Sequence, residues 1–308
     1  MRKSNKTLVS IIFMTILGML SAPVWAKPPG LANTPVYYLS LGTSLAAGVQ
    51  ANFPESCESV VTGVSYPGFI AENIISDPEQ DIRKLRHVNL GCPGETAETF
   101  INGGLCDYPK GSQLDQAVQF LHAHGKFTGL ITIDLGANDV LQCVDGLNFD
   151  FDCIDDVLEQ LSHDLSYVLE TLREVAPGVP IVGMNYYNPL LAFWFQNPQN
   201  PFIAELTKDL QSQINGVLES VYDSKQVPWA DVAGAFMADA SFEIDNNMNG
   251  IPDSVDLVCL WTWMCVNNCG NIHPNISGYE VIASAFNPVL PDIQISEPPR
   301  RRGKNYKR

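Results

Sequence analysis

Leu130-Ile131-Thr132-Ile133-Asp134-Leu135-Gly136-Ala137-Asn138-Asp139 reads as a short, mainly apolar strand that runs straight into a glycine turn. Apolar runs of the same kind stand at Val36–Leu41, Arg86–Leu90, Val179–Tyr186 and Val227–Asp231. Between them lie segments of helical periodicity at Gly68–Ile75, Ser112–His124, Ile154–Val175, Pro201–Tyr222 and Ile276–Phe286. In the third of these, Val157, Leu158, Leu161, Leu165, Val168, Leu169 and Leu172 form one stripe, and Pro177-Gly178 stops it. Strands that alternate with helices predict an α/β fold with a parallel sheet and crossover helices. Ligands of open parallel sheets sit at the carboxyl ends of the strands.

Ser44, Gly94 and Asn138 all fall just there. They belong to three of four short segments: Gly42-Thr43-Ser44-Leu45, Asn89-Leu90-Gly91-Cys92-Pro93-Gly94-Glu95-Thr96, Gly136-Ala137-Asn138-Asp139 and Ile272-His273-Pro274-Asn275. Together they hold what acyl transfer requires, namely a nucleophile, a base and donors for an oxyanion. Ser44 follows a strand and a glycine, so a sharp turn can present its hydroxyl and leave its own N–H free. Gly94 has no side chain, which lets its N–H approach a substrate oxygen closely. Asn138 offers a neutral amide donor. His273 is flanked by turn residues before a helix, whereas His87, His122, His124 and His163 lie within strand or helix patterns and read as structural.

In their order and spacing these segments resemble the SGNH, or GDSL-like, hydrolase family. The resemblance implies a three-layer α/β/α sandwich of flavodoxin type with a mostly parallel five-stranded sheet. It also implies Ser44 as nucleophile, His273 as base, and an oxyanion hole of Ser44, Gly94 and Asn138. Two positions depart from the family pattern. The Asp usual before the nucleophile is Thr43, and the Asp usual three residues before the base is Gly270. Asn271, two residues before His273, can accept from the ring; a backbone carbonyl near Gly270 and an Asp from elsewhere, such as Asp231, are the alternatives.

Residues 245–256 carry a second pattern. Oxygen ligands fall at loop positions 1, 3, 5, 7, 9 and 12: Asp245, Asn247, Asn249, the carbonyl of Ile251, Asp253 and Asp256, with Gly250 at position 6. That spacing predicts a structural Ca2+ loop, with Asp256 where Glu is usual. The plainer alternative is an Asn/Gly/Pro turn without metal. No cofactor is expected for the chemistry.

The 308-residue chain opens with a basic start and an apolar run from Leu8 to Leu20. Ser21-Ala22-Pro23-Val24-Trp25-Ala26 follows, with small side chains at its third-last and last positions. This predicts a signal peptide over residues 1–26, cut near Ala26, and a secreted or periplasmic protein. Residues 27–297 form the expected hydrolase domain, and 298–308 a basic tail. Three of the 18 Lys and Arg lie in the leader and six in the last nine residues, so nine stand against 34 Asp and Glu. Such a surface excludes nucleic acid as a partner. The tail reads as a solvated appendage, with contact to a membrane surface as the alternative. All eight cysteines follow the leader, and an even count in an exported chain favours disulfides. Cys143 with Cys153, and one pair among Cys259, Cys265 and Cys269, are the local pairings expected.

The substrate expected is a small-molecule or lipid ester. Pro189-Leu190-Leu191-Ala192-Phe193-Trp194-Phe195 places apolar groups after the fourth strand, where a lid or acyl pocket can lie; Trp261 and Trp263 precede the base. The same aromatics serve equally as core. An acetyl-carbohydrate esterase is one alternative. A secreted, calcium-stabilised binding protein that has lost catalysis is another.

Overall fold

Val36–Gly42 (β1) and Thr128–Asp134 (β5) are buried along almost their whole length, which a strand tolerates only when both faces of its sheet are covered. The computed structural model describes residues 35–80 and 82–295; the leader and the basic tail predicted from sequence lie outside them. The strands in chain order are β1, Val49–Ala51 (β2), Ser59–Val61 (β3), Leu85–Asn89 (β4), β5, Val144–Asp145 (β6), Asn148–Phe149 (β7), Ile181–Met184 (β8) and Trp229–Ala230 (β9). The central sheet has five strands in the order β4-β1-β5-β8-β9, and every pair is parallel. Numbered among themselves, these strands run 2-1-3-4-5, the flavodoxin order. Its connection direction reverses between β1 and β5, and that reversal opens a crevice at their carboxyl ends.

The helices are Ser44–Ala47 (α1), Tyr66–Ser76 (α2), Ala97–Asn102 (α3), Gln113–His124 (α4), Ala137–Leu141 (α5), Phe151–Val175 (α6), Phe202–Ser224 (α7), Val232–Ala235 (α8), Asp253–Trp261 (α9) and Ile276–Phe286 (α10). One group, α3, α4, α6 and α7, packs together, and a second is formed by α2, α8, α9 and α10. In α6 the expected stripe is buried from Leu158 to Leu172, Asp150 caps the start by accepting from Cys153 N, and Val157 is only half-buried. Tyr66 of α2 stacks on Phe286 of α10 beneath the sheet.

The short elements β2, β3, β6, β7, α1, α3, α5 and α8 had no counterpart in the sequence reading, the fifth strand is shorter than expected, and two further differences have a visible cause. The fourth strand stops at Met184 because the backbone of Tyr186 pairs with a side chain instead. Its N–H donates to Asn215 Oδ1 at 2.9 Å, and its carbonyl accepts from Asn215 Nδ2 at 2.9 Å. Helix α9 had no expected counterpart, since Pro252 precedes it and it buries only Ser254, Val255 and Val258, too few to set a periodic stripe.

Four disulfides pair all eight cysteines: Cys57–Cys269, Cys92–Cys106, Cys143–Cys153 and Cys259–Cys265. The two local expectations hold. Among the described residues no helix is long and apolar enough to cross a membrane.

Candidate active site

The turn after β1 is held from two sides. Gly42 has φ +132°, and a Cβ there would run into the Asp134 carbonyl and lie 2.6 Å from Asp134 Cγ, so only glycine fits. The buried amide of Gln113 grips the Gly42 backbone: Gly42 N donates to Oε1 at 2.6 Å, and Nε2 donates to Gly42 O at 2.9 Å. On the other side Asp134 Oδ1 accepts from Thr43 N at 2.9 Å and from Thr43 Oγ1 at 2.6 Å, while Oδ2 accepts from Tyr66 OH at 2.9 Å. Burial pushes the Asp134 carboxyl up to about 7, with the Thr43 bonds opposing the rise. Ser44 then opens α1, which Gly48 ends in the left-handed conformation.

The second loop sits against this turn. A Cβ on Gly91 would lie 2.5 Å from Ala47 N, so its glycine permits the loop to approach α1. Gly94 follows with φ +84°. Glu95 is fully buried; its side chain accepts from Gln113 Nε2 at 2.7 Å, and its carbonyl accepts from Asn138 Nδ2 at 2.9 Å. Gln113 and Glu95 therefore link the Ser44, Gly94 and Asn138 loops in one hydrogen-bonded chain. An amide nitrogen carries two N–H groups, so Asn138 keeps one beyond that bond. Asp139 adds a further tie, since both its oxygens accept from Ala97 N at the start of α3, at 3.0 and 3.2 Å.

His273 Nδ1 meets Asn271 Oδ1 at 2.9 Å. The amide of Asn271 has a fixed sense, because its nitrogen faces the carbonyl of Cys57 at 3.0 Å and also Ser59 Oγ at 3.1 Å. A carbonyl accepts only, so the NH2 must point there and Oδ1 must point at the ring. Nδ1 therefore carries the proton, and Nε2 is left as the acceptor. The Asn271 carboxamide also takes His273 N at 3.1 Å, and Tyr187 OH donates to Ile272 O at 2.8 Å. The Cys57–Cys269 disulfide ties this segment to the β2–β3 hairpin. Burial draws the His273 imidazole down to about 4. Asp231 is engaged elsewhere: it accepts from Asn185 Nδ2 at 3.0 Å and Gly234 N at 2.8 Å. His87 donates to or accepts from Ser40 Oγ at 2.8 Å and stacks on Tyr38, as a structural residue does.

Ser44, Asn138 and His273 line one cavity of about 100 Å³. Gly94 is exposed and stands outside that lining, joined to it through the Glu95–Asn138 bond. The rest of the wall is mainly apolar and includes Leu141, Val144, Phe149, Leu190, Leu210 and Ile214. Of the apolar run after β8, Pro189 and Leu190 reach the cavity, Leu191 and Trp194 are buried in the core, and Phe195 is exposed. Trp261 packs edge-on against Phe236, and Trp263 lies beside Phe53. Asp134, Gln113 and Glu95 escaped the sequence reading, although an acidic residue inside the apolar run 130–135 was a visible signal for the first.

The loop at 245–256 curls back on itself, with Met248 and Gly250 at positive φ. Asp245 accepts from Asn249 N at 3.1 Å and Gly250 N at 2.8 Å. The amides of Asn247 and Asn249 reach Asp256 Oδ2 at 2.9 and 2.7 Å, which brings four of the predicted ligand side chains together. Asp253 is turned toward Asn246 N at 3.0 Å. Asp253 and Asp256 stand in the first turn of α9. Among the described residues no three His, Cys, Asp or Glu form a metal cluster of their own; the oxygen set here is mixed, from Asp, Asn and the Ile251 carbonyl, and hard oxygen donors of that kind suit Ca2+.

The family model described as GDSL-like Lipase/Acylhydrolase matches residues 40–281. Among solved structures, the lipase Lip_vut3 from a goat rumen metagenome superposes with a TM-score of 0.50 at 18% identity, covering 82% of this chain and 95% of that one. An acetylxylan esterase from Geobacillus stearothermophilus gives a TM-score of 0.49 at 15% identity, covering 84% and 96%. At such identities the likeness is one of fold. A sequence comparison with curated proteins returned no match.

Proposed function

The chain belongs to the GDSL-like lipase/acylhydrolase family, and from that premise we propose that it is an exported serine esterase acting on apolar acyl esters. Ser44 Oγ attacks the ester carbonyl while His273 Nε2 takes its proton. The resulting oxyanion is met by the N–H groups of Ser44 and Gly94 and by Asn138 Nδ2. As the tetrahedral adduct collapses, the imidazolium returns the proton to the leaving alkoxide, and the acyl group remains on Ser44. Water, deprotonated by His273, attacks the acyl-enzyme, and as that adduct collapses the imidazolium returns the proton to Ser44 Oγ, releasing the carboxylic acid and restoring the Ser44 hydroxyl. Asn271 holds the ring with a neutral oxygen where the family uses a carboxylate.

The observation that carries this reading is the shared cavity of Ser44, Asn138 and His273. Its apolar wall favours an acyl chain over a sugar, whose hydroxyls would leave polar groups unpaired there. Four disulfides fit an oxidising compartment outside the cytoplasm. We assign Ca2+ to the loop at 245–256, where Asp245, Asn247, Asn249, the Ile251 carbonyl and Asp256 would hold it and Asp253 would act through water. There it would stiffen the start of α9, with no part in the chemistry.

The test is a p-nitrophenyl ester panel running from acetate to dodecanoate, with fluorophosphonate labelling alongside. Turnover should rise from acetate to a medium chain, the label should sit on Ser44, and Ser44→Ala and His273→Ala should abolish both. Turnover by pure, folded Ser44→Ala would refute the mechanism. A preference for acetylated sugars over every acyl nitrophenyl ester would refute the substrate class.

A further inference from the structure

The acidic residue that the family places before its nucleophile is absent here, yet a carboxylate still reaches the same turn. It comes from the neighbouring strand. Asp134, the last residue of β5, is fully buried and accepts both the N–H and the hydroxyl of Thr43 through one oxygen, at 2.9 and 2.6 Å. Its other oxygen accepts from Tyr66 OH. The run around it, Leu130, Ile131, Ile133 and Leu135, is apolar and buried, so the sheet itself has no use for a charge. Burying a carboxyl costs free energy unless donors meet it, and the donors that meet this one belong to the residue next to Ser44 and to Tyr66. The contact is close: a Cβ on Gly42 would meet the main-chain oxygen of Asp134 and lie 2.6 Å from its carboxyl as well.

Resting on the serine mechanism above, we propose that Asp134 is the positioning residue of the nucleophile turn, supplying from β5 the carboxylate that position 43 lacks. By fixing both polar hydrogens of Thr43 it sets the direction of the peptide that carries Ser44 N–H, an oxyanion donor, and of the Ser44 Cα–Cβ bond. Asp134 touches no substrate. Its effect is on how often Ser44 points at the ester carbonyl.

The experiment measures kcat, KM, melting temperature and the rate of fluorophosphonate labelling at Ser44. Asp134→Ala is expected to lower both kcat and the labelling rate by about tenfold or more, with KM within about threefold, because an orientation realised at attack is lost rather than substrate affinity. Asp134→Asn keeps an acceptor oxygen for Thr43 and should recover most of that loss, a rescue that bulk stability alone would not track. Thr43→Val, which preserves shape and removes the hydroxyl, should be slower than Thr43→Ser, which keeps it; this pair decides the matter if Asp134→Ala fails to fold. A folded Asp134→Ala that labels at the unmodified rate, or equal rates for Thr43→Val and Thr43→Ser, would overturn the proposal. Absence of label on the unmodified protein is a separate result, which brings down the serine mechanism and this inference together.

Discussion

Replacing Asn271 by Asp would restore the charge that the family places beside its base, and the outcome can be worked from the site. In the native protein His273 faces a neutral oxygen at 2.9 Å and is held down to about 4 by burial. A carboxylate at that distance favours the imidazolium and raises a histidine by about one to three pH units. The base works only when neutral, so a raised pKa narrows the active range from the acid side. Near pH 5 the native base is about 90% neutral; with its pKa moved to about 6 the variant's base is about 10% neutral. The kcat/KM of Asn271→Asp at about pH 5, relative to its own value at pH 8, should therefore fall roughly tenfold against the native ratio. Stability changes separately: the two N–H bonds from Asn271 to Cys57 O and Ser59 Oγ disappear, at about 1–3 kcal/mol for each group left unsatisfied. The assay is a pH–rate profile with an ester whose leaving group does not titrate, taken at a temperature where the variant is folded. An acid limb with an unmoved midpoint would refute the argument, whatever happens to the amplitude.

Other outcomes follow from the same geometry. Asn138→Ala should lower kcat by about 10²–10³, the loss typical of one oxyanion donor, with KM little changed; steady-state kinetics on the preferred ester reads it. Cys57→Ala with Cys269→Ala should cost about 2–5 kcal/mol by denaturant unfolding and also depress kcat, because the disulfide closes a span of 212 residues and Cys57 O orients Asn271. Removing the Cys143–Cys153 pair should leave kcat near native. Chelation by EGTA should lower the melting temperature, and added Ca2+ should restore it, by an amount near 2.7 kcal/mol at about a hundred times Kd; Asp245→Ala should abolish that response, and a native melting curve blind to both reagents would remove the ion.

The legible parts of this chain were those whose causes are local. Buried parallel strands such as Leu130–Leu135 advertise themselves by a mainly apolar run that ends in a glycine turn, and α6 by an apolar stripe at helical spacing. Ser44, Asn138 and His273, which line one cavity, could be singled out because each sits in a short turn segment. What escaped depends on pairing across the chain. Cys57 and Cys269 lie 212 positions apart, and no spacing links them. The choice among Asn271, Asp231 and a backbone carbonyl turned on where the hairpin carbonyl of Cys57 falls. Gln113 looked like one more polar residue at a helix start, while folding buries it between two loops as their common brace.

The bridge from the β2–β3 hairpin to the segment that carries His273 makes that side of the cavity sensitive to redox conditions. With thiols at positions 57 and 269 the segment would keep the Asn271 hydrogen bonds but lose its one covalent tie to the hairpin. A mild reductant should therefore loosen the mouth of the cavity before it unfolds the sheet, because the strands that carry the other loops hold no cysteine.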